Sequence, residues 1–548
     1  MVPLNRYLKA FCCLWVSLFT ASAYETVASL DYGDFEGAYS SEYNISYWTK
    51  IPYAAPPTGQ NRFRAPQPPD PVLGRVYNSS REFDMCPQRE TNGSEDCLYL
   101  TLYSRPWSTG QSLRPVVVTF YGGGFVQGAA ALTLPPSAYP ILDVSEAADV
   151  VFVYPNYRVN AFGFLPGRQV RDDPLSDANA GLLDQRMALQ WTHNYIEKFG
   201  GDPDNVAIWG QSAGGGSVLA QTLAGAHGKG VGERSDGEGR SGDGKRLFAR
   251  AMASSPFWPK TYAVDDAEAQ WRYDTLANLT GCAGANSLQC LKDVDVQMIR
   301  DASLVVVDGH KYDTSTFGWG PVIDGVFLKD PLSTAAIGRE SVIMDGFGMY
   351  NTHEGESFVP DELNSTGTGD LGFNSSTASF EAWLAGYLPW FSATELGRVK
   401  ELYPEAGSSE TVPAYNDSYT RAGLIYRDSV LTCPAYWTIK RGSRGRWLGE
   451  YTIPPAKHAS DVYWWNQVNS AQKEDTLHYE GYAGAMASFF MTGDPNVLRA
   501  SAEDVPKVPE LGMGDEWVID SNGFKTTGIA HLEARCRFWR EVGSKVPV

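Results

Sequence analysis

The chain reads as an α/β protein, with one large, mostly parallel sheet flanked by helices in a single elaborated domain. Three observations predict it. Short β-branched or aromatic runs, PVVVTFY at 115–121, DVVFVYP at 149–155 and NVAIWG at 205–210, have the composition of buried strands. Between the last two, Leu183, Met187, Trp191 and Tyr195 recur every four positions over 181–199, the spacing of one helix face. Strand–helix–strand order is the connection that parallel neighbours need. No internal repeat and no linker divides the 548 residues. Length alone would allow three or four domains, but one domain with long excursions accounts for the pattern.

The N-terminus begins with Arg6 and Lys9, then the apolar run AFCCLWVSLFTA and the small residues Ala21-Ser22-Ala23. That order is the pattern of a secretory signal over 1–23, and 12 apolar residues are too few to span a bilayer. A buried N-terminal helix is the plainer alternative. The C-terminal CRFWREVGSKVPV has no hydrophobic tail and no KDEL-like ending, so neither a membrane anchor nor retention is expected. The domain is then 24–548, and the destination is extracellular. Seven Asn-x-Ser/Thr sequons, at Asn44, Asn78, Asn92, Asn278, Asn364, Asn374 and Asn416, suit a secreted glycoprotein.

Cys12 and Cys13 would leave with the signal, which leaves Cys86, Cys97, Cys282, Cys290, Cys433 and Cys536. An even number in an oxidising compartment suggests three bridges, and six cysteines allow fifteen connectivities. Short spacing favours 86 with 97 and 282 with 290.

The charge excludes other classes. Lys+Arg 45 against Asp+Glu 64 gives −19, with both signs mixed along the chain. Nucleic acid is therefore an improbable partner, since affinity for it rests on clustered cations, and an anionic lipid surface would repel the chain. One segment, GAHGKGVGERSDGEGRSGDGK at 225–245, is Gly-rich and charged with little to bury, and reads as a mobile surface insertion. Its glycines follow no strand and form no Walker pattern, which weighs against a phosphate site.

Directly after NVAIWG comes Gln211-Ser212-Ala213-Gly214-Gly215, so that Gly210 to Gly214 form GxSxG. At a strand-to-helix turn this is the nucleophile elbow, where small flanking residues let backbone approach the serine from both sides. The alternative is a Gly-rich turn whose serine caps the helix. A serine hydroxyl needs a base, an orienting acid and donors for an oxyanion. The run PVVVTFY ends in Tyr121-Gly122-Gly123-Gly124-Phe125. Consecutive glycines at a strand end offer unhindered N–H groups, with Tyr121 where HGGG-type loops have His. The expected donors are the N–H groups of Gly123, Gly124 and Ala213.

These segments, with SEDCLYLTLY (94–103), NYRVNAFGFL (156–165), GLLDQRMALQW (181–191), FGGDPDNVAIWGQSAGG (199–215) and CRFW (536–539), resemble the type-B carboxylesterase/lipase family, the cholinesterase-like α/β-hydrolases, and secreted fungal carboxylesterases in particular. They run in family order from the first fifth of the chain to its end. The resemblance implies a Ser, Glu, His order for a catalytic triad. It nominates Glu354 in GMYNTHEGESF (348–358), where His353 replaces the customary Asp; a solvated surface glutamate is the plain alternative. Among seven histidines, chain order leaves His458 and His478. HASDVYWW (458–465) is similar to the family's His-Gly-x-Asp/Glu segment with Ala459 in the glycine's place, and His478 lies too close to the family-like TGDPN (492–496). His458 is favoured.

The same resemblance implies the bridges Cys86–Cys97, Cys282–Cys290 and Cys433–Cys536. In cholinesterases the first loop carries an aromatic choline-binding residue, and in the family's lipases it forms the lid. Here it is PQRETNGSED, ten residues with no aromatic, and Gln211 stands where cholinesterases have Glu. Neither a choline site nor a long lid is expected, and apolar or aromatic esters suit a chain with 16 Trp, 29 Tyr and 24 Phe. The expected activity is a serine carboxylesterase acting on a small-molecule ester through an acyl-enzyme, without metal or cofactor. A triacylglycerol lipase with interfacial activation is the alternative. A non-catalytic adhesion protein on the same fold is the third reading.

Overall fold

The computed structural model describes residues 26–224, 246–308, 318–335, 343–412, 414–499 and 505–546. The expected signal segment and the Gly-rich insertion at 225–245 lie outside the described residues. One domain is built on an eleven-stranded sheet. From edge to edge its strands are Gly523–Gly528, Asp515–Asp520, Gly442–Tyr451, Ile343–Asn351, Arg250–Ser254, Gly201–Gln211, Arg114–Phe120, Val151–Pro155, Tyr99–Ser104, Ile45–Pro52 and Ala38–Ser40. The seven from Asp515–Asp520 to Val151–Pro155 are mutually parallel. Antiparallel strands close both ends, so the sheet is mixed with a parallel centre. A three-stranded sheet of Val27–Leu30, Gly33–Glu36 and Val72–Asn78 sits apart from it.

Both faces of the central strands are covered, which is why they read as unbroken apolar runs rather than alternating ones. Val116, Val118 and Ile208 point into a core shared with Leu182, Val218 and Leu219. Val117, Ala207 and Trp209 point into a second core with Met486, Phe489 and Phe490. The expected helix spans Ala180–Tyr195 and tightens into a 3-10 turn at Ile196–Phe199. Along its four-residue stripe Leu183, Met187 and Tyr195 are half-buried and Trp191 is fully buried. The deep side carries Leu182, Asp184, Gln185, Ala188 and Leu189. Polar residues occupy it because each has a partner there: Gln185 donates to Ser217 Oγ, and Asp184 pairs with Arg158.

All three disulfides are present, joining 86 to 97, 282 to 290 and 433 to 536. The last closes 103 residues of chain, and a loop of that size is worth about 4–5 kcal/mol in the chain-entropy account. Beside it lies a buried ion network. Asp428 takes Arg427 at 2.8 Å and Arg535 at 2.6 Å. Burial alone would raise its carboxyl, but the two guanidinium groups hold it below the usual range. Six of the seven sequon asparagines are exposed, whereas Asn374 is half-buried and donates to Thr368.

Two more carboxyls are buried on adjacent parallel strands. Glu450 accepts from Thr352 Oγ1 at 2.8 Å, and Glu516 accepts from Tyr350 Oη at 3.0 and 2.9 Å. Burial, and then the neighbouring Glu450, push the Glu516 carboxyl well above the usual range. A carboxyl raised in the folded state contributes stability that is full below its unfolded value, about 4.3, and is lost as pH rises through the folded value. Glu516→Gln, neutral at every pH, is therefore expected to raise the melting temperature at pH 8 more than at pH 5. Thermal melts at the two pH values check this, and equal shifts would contradict it.

Candidate active site

The central parallel strands deliver the site at their carboxyl ends, the edge where open α/β sheets bind ligands. Strand Gly201–Gln211 and helix Ala213–Ala224 are separated by one residue, Ser212, whose φ is +59°. A left-handed backbone costs a non-glycine residue about 1–2 kcal/mol, so neighbours must hold it. They do: Ser212 N–H donates to Ser254 O at 3.0 Å, and its carbonyl accepts from Gly216 N at 2.9 Å and Phe257 N at 2.8 Å. The helix then starts hard against the strand that pairs with its own. A Cβ on Gly214 would lie 2.0 Å from Phe120 O, closer than any carbon can approach a carbonyl.

Half-buried Ser212 presents its hydroxyl to a histidine 246 residues further on: His458 Nε2 lies 2.8 Å from Ser212 Oγ. The other ring nitrogen, Nδ1, lies 3.0 Å from Glu354 Oε2. With Nδ1 protonated, the imidazole donates to the carboxylate and accepts from the hydroxyl. Glu354 follows the end of strand Ile343–Asn351 and is fully buried. Its other oxygen has no partner among the described residues. His458 stands beyond the end of strand Gly442–Tyr451, in a loop where Ala456 (φ +47°) and Ala459 (φ +67°) both adopt left-handed backbone. His478, the other histidine that chain order allowed, is committed elsewhere, to Asp475 and to Asp520 O.

The glycine loop follows strand Arg114–Phe120. Gly123 has φ +109°, and a Cβ there would lie 2.3 Å from Gln127 O. The N–H groups of Gly123, Gly124 and Ala213 make no turn, loop or side-chain hydrogen bond among the described residues. Gly122, at the start of the loop, packs against the serine: a Cβ there would lie 3.1 Å from Ser212 Cβ. Tyr121 and Tyr157 hold the loop's entry: their rings stack 4.0 Å apart, the Tyr157 hydroxyl donates to Tyr121 O at 2.6 Å, and Tyr121 donates to Tyr157 O. Burial pushes both hydroxyls well above their ordinary range, so they remain donors.

The loop's far side rests on residues whose role spacing gave no hint of. Asn160 N–H donates to Phe125 O at 2.7 Å, and its side chain donates to Pro87 O at 2.9 Å. The turn carrying Asn160 is anchored by the Arg158–Asp184 pair, in which Asp184 accepts from Arg158 N, Nε and Nη2 at 3.0, 2.8 and 2.6 Å. Gln88, in the first disulfide loop, exchanges two hydrogen bonds with the backbone of Gly128, at 2.8 and 2.7 Å. An aromatic column adjoins the imidazole: Phe358 meets His458 edge-on at 5.0 Å and is stacked between Phe257 and Tyr426. Gly214→Ala is expected to abolish ester hydrolysis or prevent soluble expression, since the Phe120 backbone cannot yield. A purified variant with wild-type turnover would contradict the packing.

The description of the carboxylesterase family matches residues 24–513. Carboxylesterase patB of Penicillium expansum is 25% identical over 601 aligned positions, covering 96% of this chain and 99% of its own. A secreted lipase of Arthroderma benhamiae is 27% identical, covering 82% of this chain and 83% of its own. The crystal structure of Aspergillus niger EstA superposes with a TM-score of 0.78 at 26% identity, covering 95% of this chain and 99% of that one. A structure named PNB esterase gives 0.71 at 25%, covering 94% and 99%. With the family match over residues 24–513 and two esterase structures superposing along most of its length, the chain belongs to the carboxylesterase family of carboxylic ester hydrolases.

Proposed function

We propose that Ser212, His458 and Glu354 are the nucleophile, base and orienting acid of a two-step acyl transfer. The observation that carries it is the unbroken relay of 2.8 and 3.0 Å contacts from hydroxyl through imidazole to a buried carboxylate. His458 Nε2 takes the hydroxyl proton as Oγ bonds to the ester carbonyl carbon, and Glu354 stabilises the imidazolium that forms. The carbonyl oxygen becomes an oxyanion and accepts from the N–H groups of Gly123, Gly124 and Ala213. As the intermediate collapses, the ester C–O bond breaks and the alcohol leaves with the proton from His458. Water then attacks the acyl-enzyme by the same route and releases the acid.

The substrates are small to medium, apolar or aromatic carboxylic esters in solution. Phe358, Phe257 and Tyr426 form a rigid apolar wall beside the imidazole. Interfacial lipase action is the second reading, and secreted lipases among the relatives favour it. Against it stands the first disulfide loop. Gln88 is tied to Gly128, and Arg300 donates to Gln88 O and Arg89 O, each at 2.9 Å, so this loop is fastened to the body at several points rather than free to lift. Three disulfides, the exposed sequons and the secreted relatives support export through a signal at 1–23 and glycosylation at the seven sequons. A binding protein without chemistry is the weakest account, because the contacts of His458 with Ser212 and Glu354 support a working relay.

Ser212→Ala is expected to lower kcat by about 10³-fold or more and to abolish labelling by an organophosphate; retained hydrolysis would remove the nucleophile assignment. Rates on p-nitrophenyl esters from acetyl to palmitoyl should rise hyperbolically with concentration and show no jump at the solubility limit. A jump there would favour the lipase.

A further inference from the structure

His353, the residue standing where the customary Asp was expected, belongs to a cluster that the acyl-transfer reading does not use. Its Nδ1 lies 2.7 Å from Glu356 Oε1, and Glu356 Oε2 lies 3.2 Å from Lys457 Nζ. The members flank the relay: His353 and Glu356 bracket Glu354 in sequence, and Lys457 precedes His458. The Glu356 side chain is nearly buried, at 9% exposure, between the partly exposed His353 imidazole on the acid's loop and the partly exposed Lys457 ammonium on the base's loop. Tyr419, from helix Ser418–Arg427, completes it. Its hydroxyl accepts from Lys457 Nζ at 3.1 Å, and lies 2.9 Å from Glu356 O and 3.1 Å from Asp361 Oδ1.

The base's loop needs such a tether. His458 sits between Ala456 and Ala459, each with a left-handed backbone that alanine disfavours, so local preference pulls the loop away from the conformation that the relay requires. One backbone bond, His353 N–H to Ala456 O at 2.9 Å, ties the two loops directly. We propose that the Glu356 carboxylate, bridging to Lys457, is a positioning clamp that fixes the His458 loop against the Glu354 loop. This rests on the assignment of Ser212, His458 and Glu354 above.

The clamp is built to persist. Burial alone would raise the Glu356 carboxyl, but His353 and Lys457 hold it below the usual carboxylate range, and Lys457 is held above its own. The titratable groups facing the bridge are His353, Lys457, Tyr419 and Asp361. A partly exposed bridge adds little to global stability, whereas a displacement of about 1 Å at reacting groups can cost roughly 10²-fold in rate. Loss of the clamp therefore shows in turnover and not in melting.

The test compares Glu356→Gln, Lys457→Met and Lys457→Arg with the wild type and with Ser212→Ala on a soluble p-nitrophenyl ester. Glu356→Gln and Lys457→Met are expected to lose about tenfold in kcat, with KM and melting temperature near wild type, and Lys457→Arg to recover most of the loss. The acid limbs of kcat/KM should move apart. Glu356→Gln leaves the Lys457 ammonium uncompensated near the imidazole and shifts its limb to lower pH, while Lys457→Met leaves an uncompensated carboxylate and shifts its limb upward. Unchanged kcat in both variants, or losses that track melting temperature and are not recovered by arginine, would overturn the clamp. Should Glu356→Gln fail to fold, the Met and Arg pair at 457 decides alone. An active Ser212→Ala would instead bring down the underlying assignment, whatever the clamp variants do.

Discussion

The left-handed backbone of Ser212 is the constraint from which the site is laid out. At φ +59° the residue is held by three backbone hydrogen bonds, to Ser254, Gly216 and Phe257, and by the contact of Gly214 with Phe120 O. Gly216 lies in the helix that Ser212 opens, and the other partners belong to the two strands that flank its own in the sheet or to a segment that leaves one of them. The sheet order therefore sets the chemistry's geometry. Phe120 lies beside Gly210 in register, so the glycine loop leaves its strand next to the hydroxyl. Ser254 pairs with Met349 on the other side, two residues before the end of the strand that delivers Glu354. The next strand over leads to His458. Parallel strands end on one edge, so neighbouring carboxyl termini can supply a hydroxyl, donors, an acid and a base to one place from segments hundreds of residues apart.

What could be read from the sequence follows from that division between local and distant causes. The elbow and the glycine loop are local: each needs small residues at fixed offsets from a strand end, and the offsets are visible in the chain. Glu354 and His458 carry no local mark of function, and chain order together with a family resemblance was needed to nominate them. The supports were not legible. Tyr121 meets Tyr157 across 36 residues, Gln88 meets Gly128 across 40, and Arg158 meets Asp184 across 26. No period or spacing encodes such pairings, although Arg158, Asn160 and Asp184 stand inside segments that the resemblance had already singled out. The helix at 180–195 shows the limit of periodicity: the four-residue spacing located the helix, but a helix packed on a sheet and covered from outside also buries polar residues once partners are supplied, as Asp184 and Gln185 are.

Charge shows the same contrast of scale. A formal charge of −19 describes the whole chain, yet charged groups on the loops around the site are paired: Arg158 with Asp184, and Lys457 with Glu356. Net charge governs encounter at long range and is screened within about 8–10 Å at ordinary ionic strength. Within that range paired groups and desolvation decide, and the ring packed against the imidazole is that of Phe358.

That aromatic wall bears on the choice between an enzyme of dissolved esters and one of lipid interfaces. Phe358 touches His458 and is braced on both faces by Phe257 and Tyr426, and Tyr426 is backed in turn by Tyr387 and Trp383. Such a column has little freedom to rearrange, because each ring's position is fixed by the next. The opposite wall is fixed as well, by the bonds of Gln88 to Gly128 and of Asn160 to Phe125 and Pro87. An enzyme that must open at a lipid surface needs one wall that moves. Here the segments where movement would be sought are bonded to the glycine loop that carries the proposed oxyanion donors, so displacing them would disturb that loop.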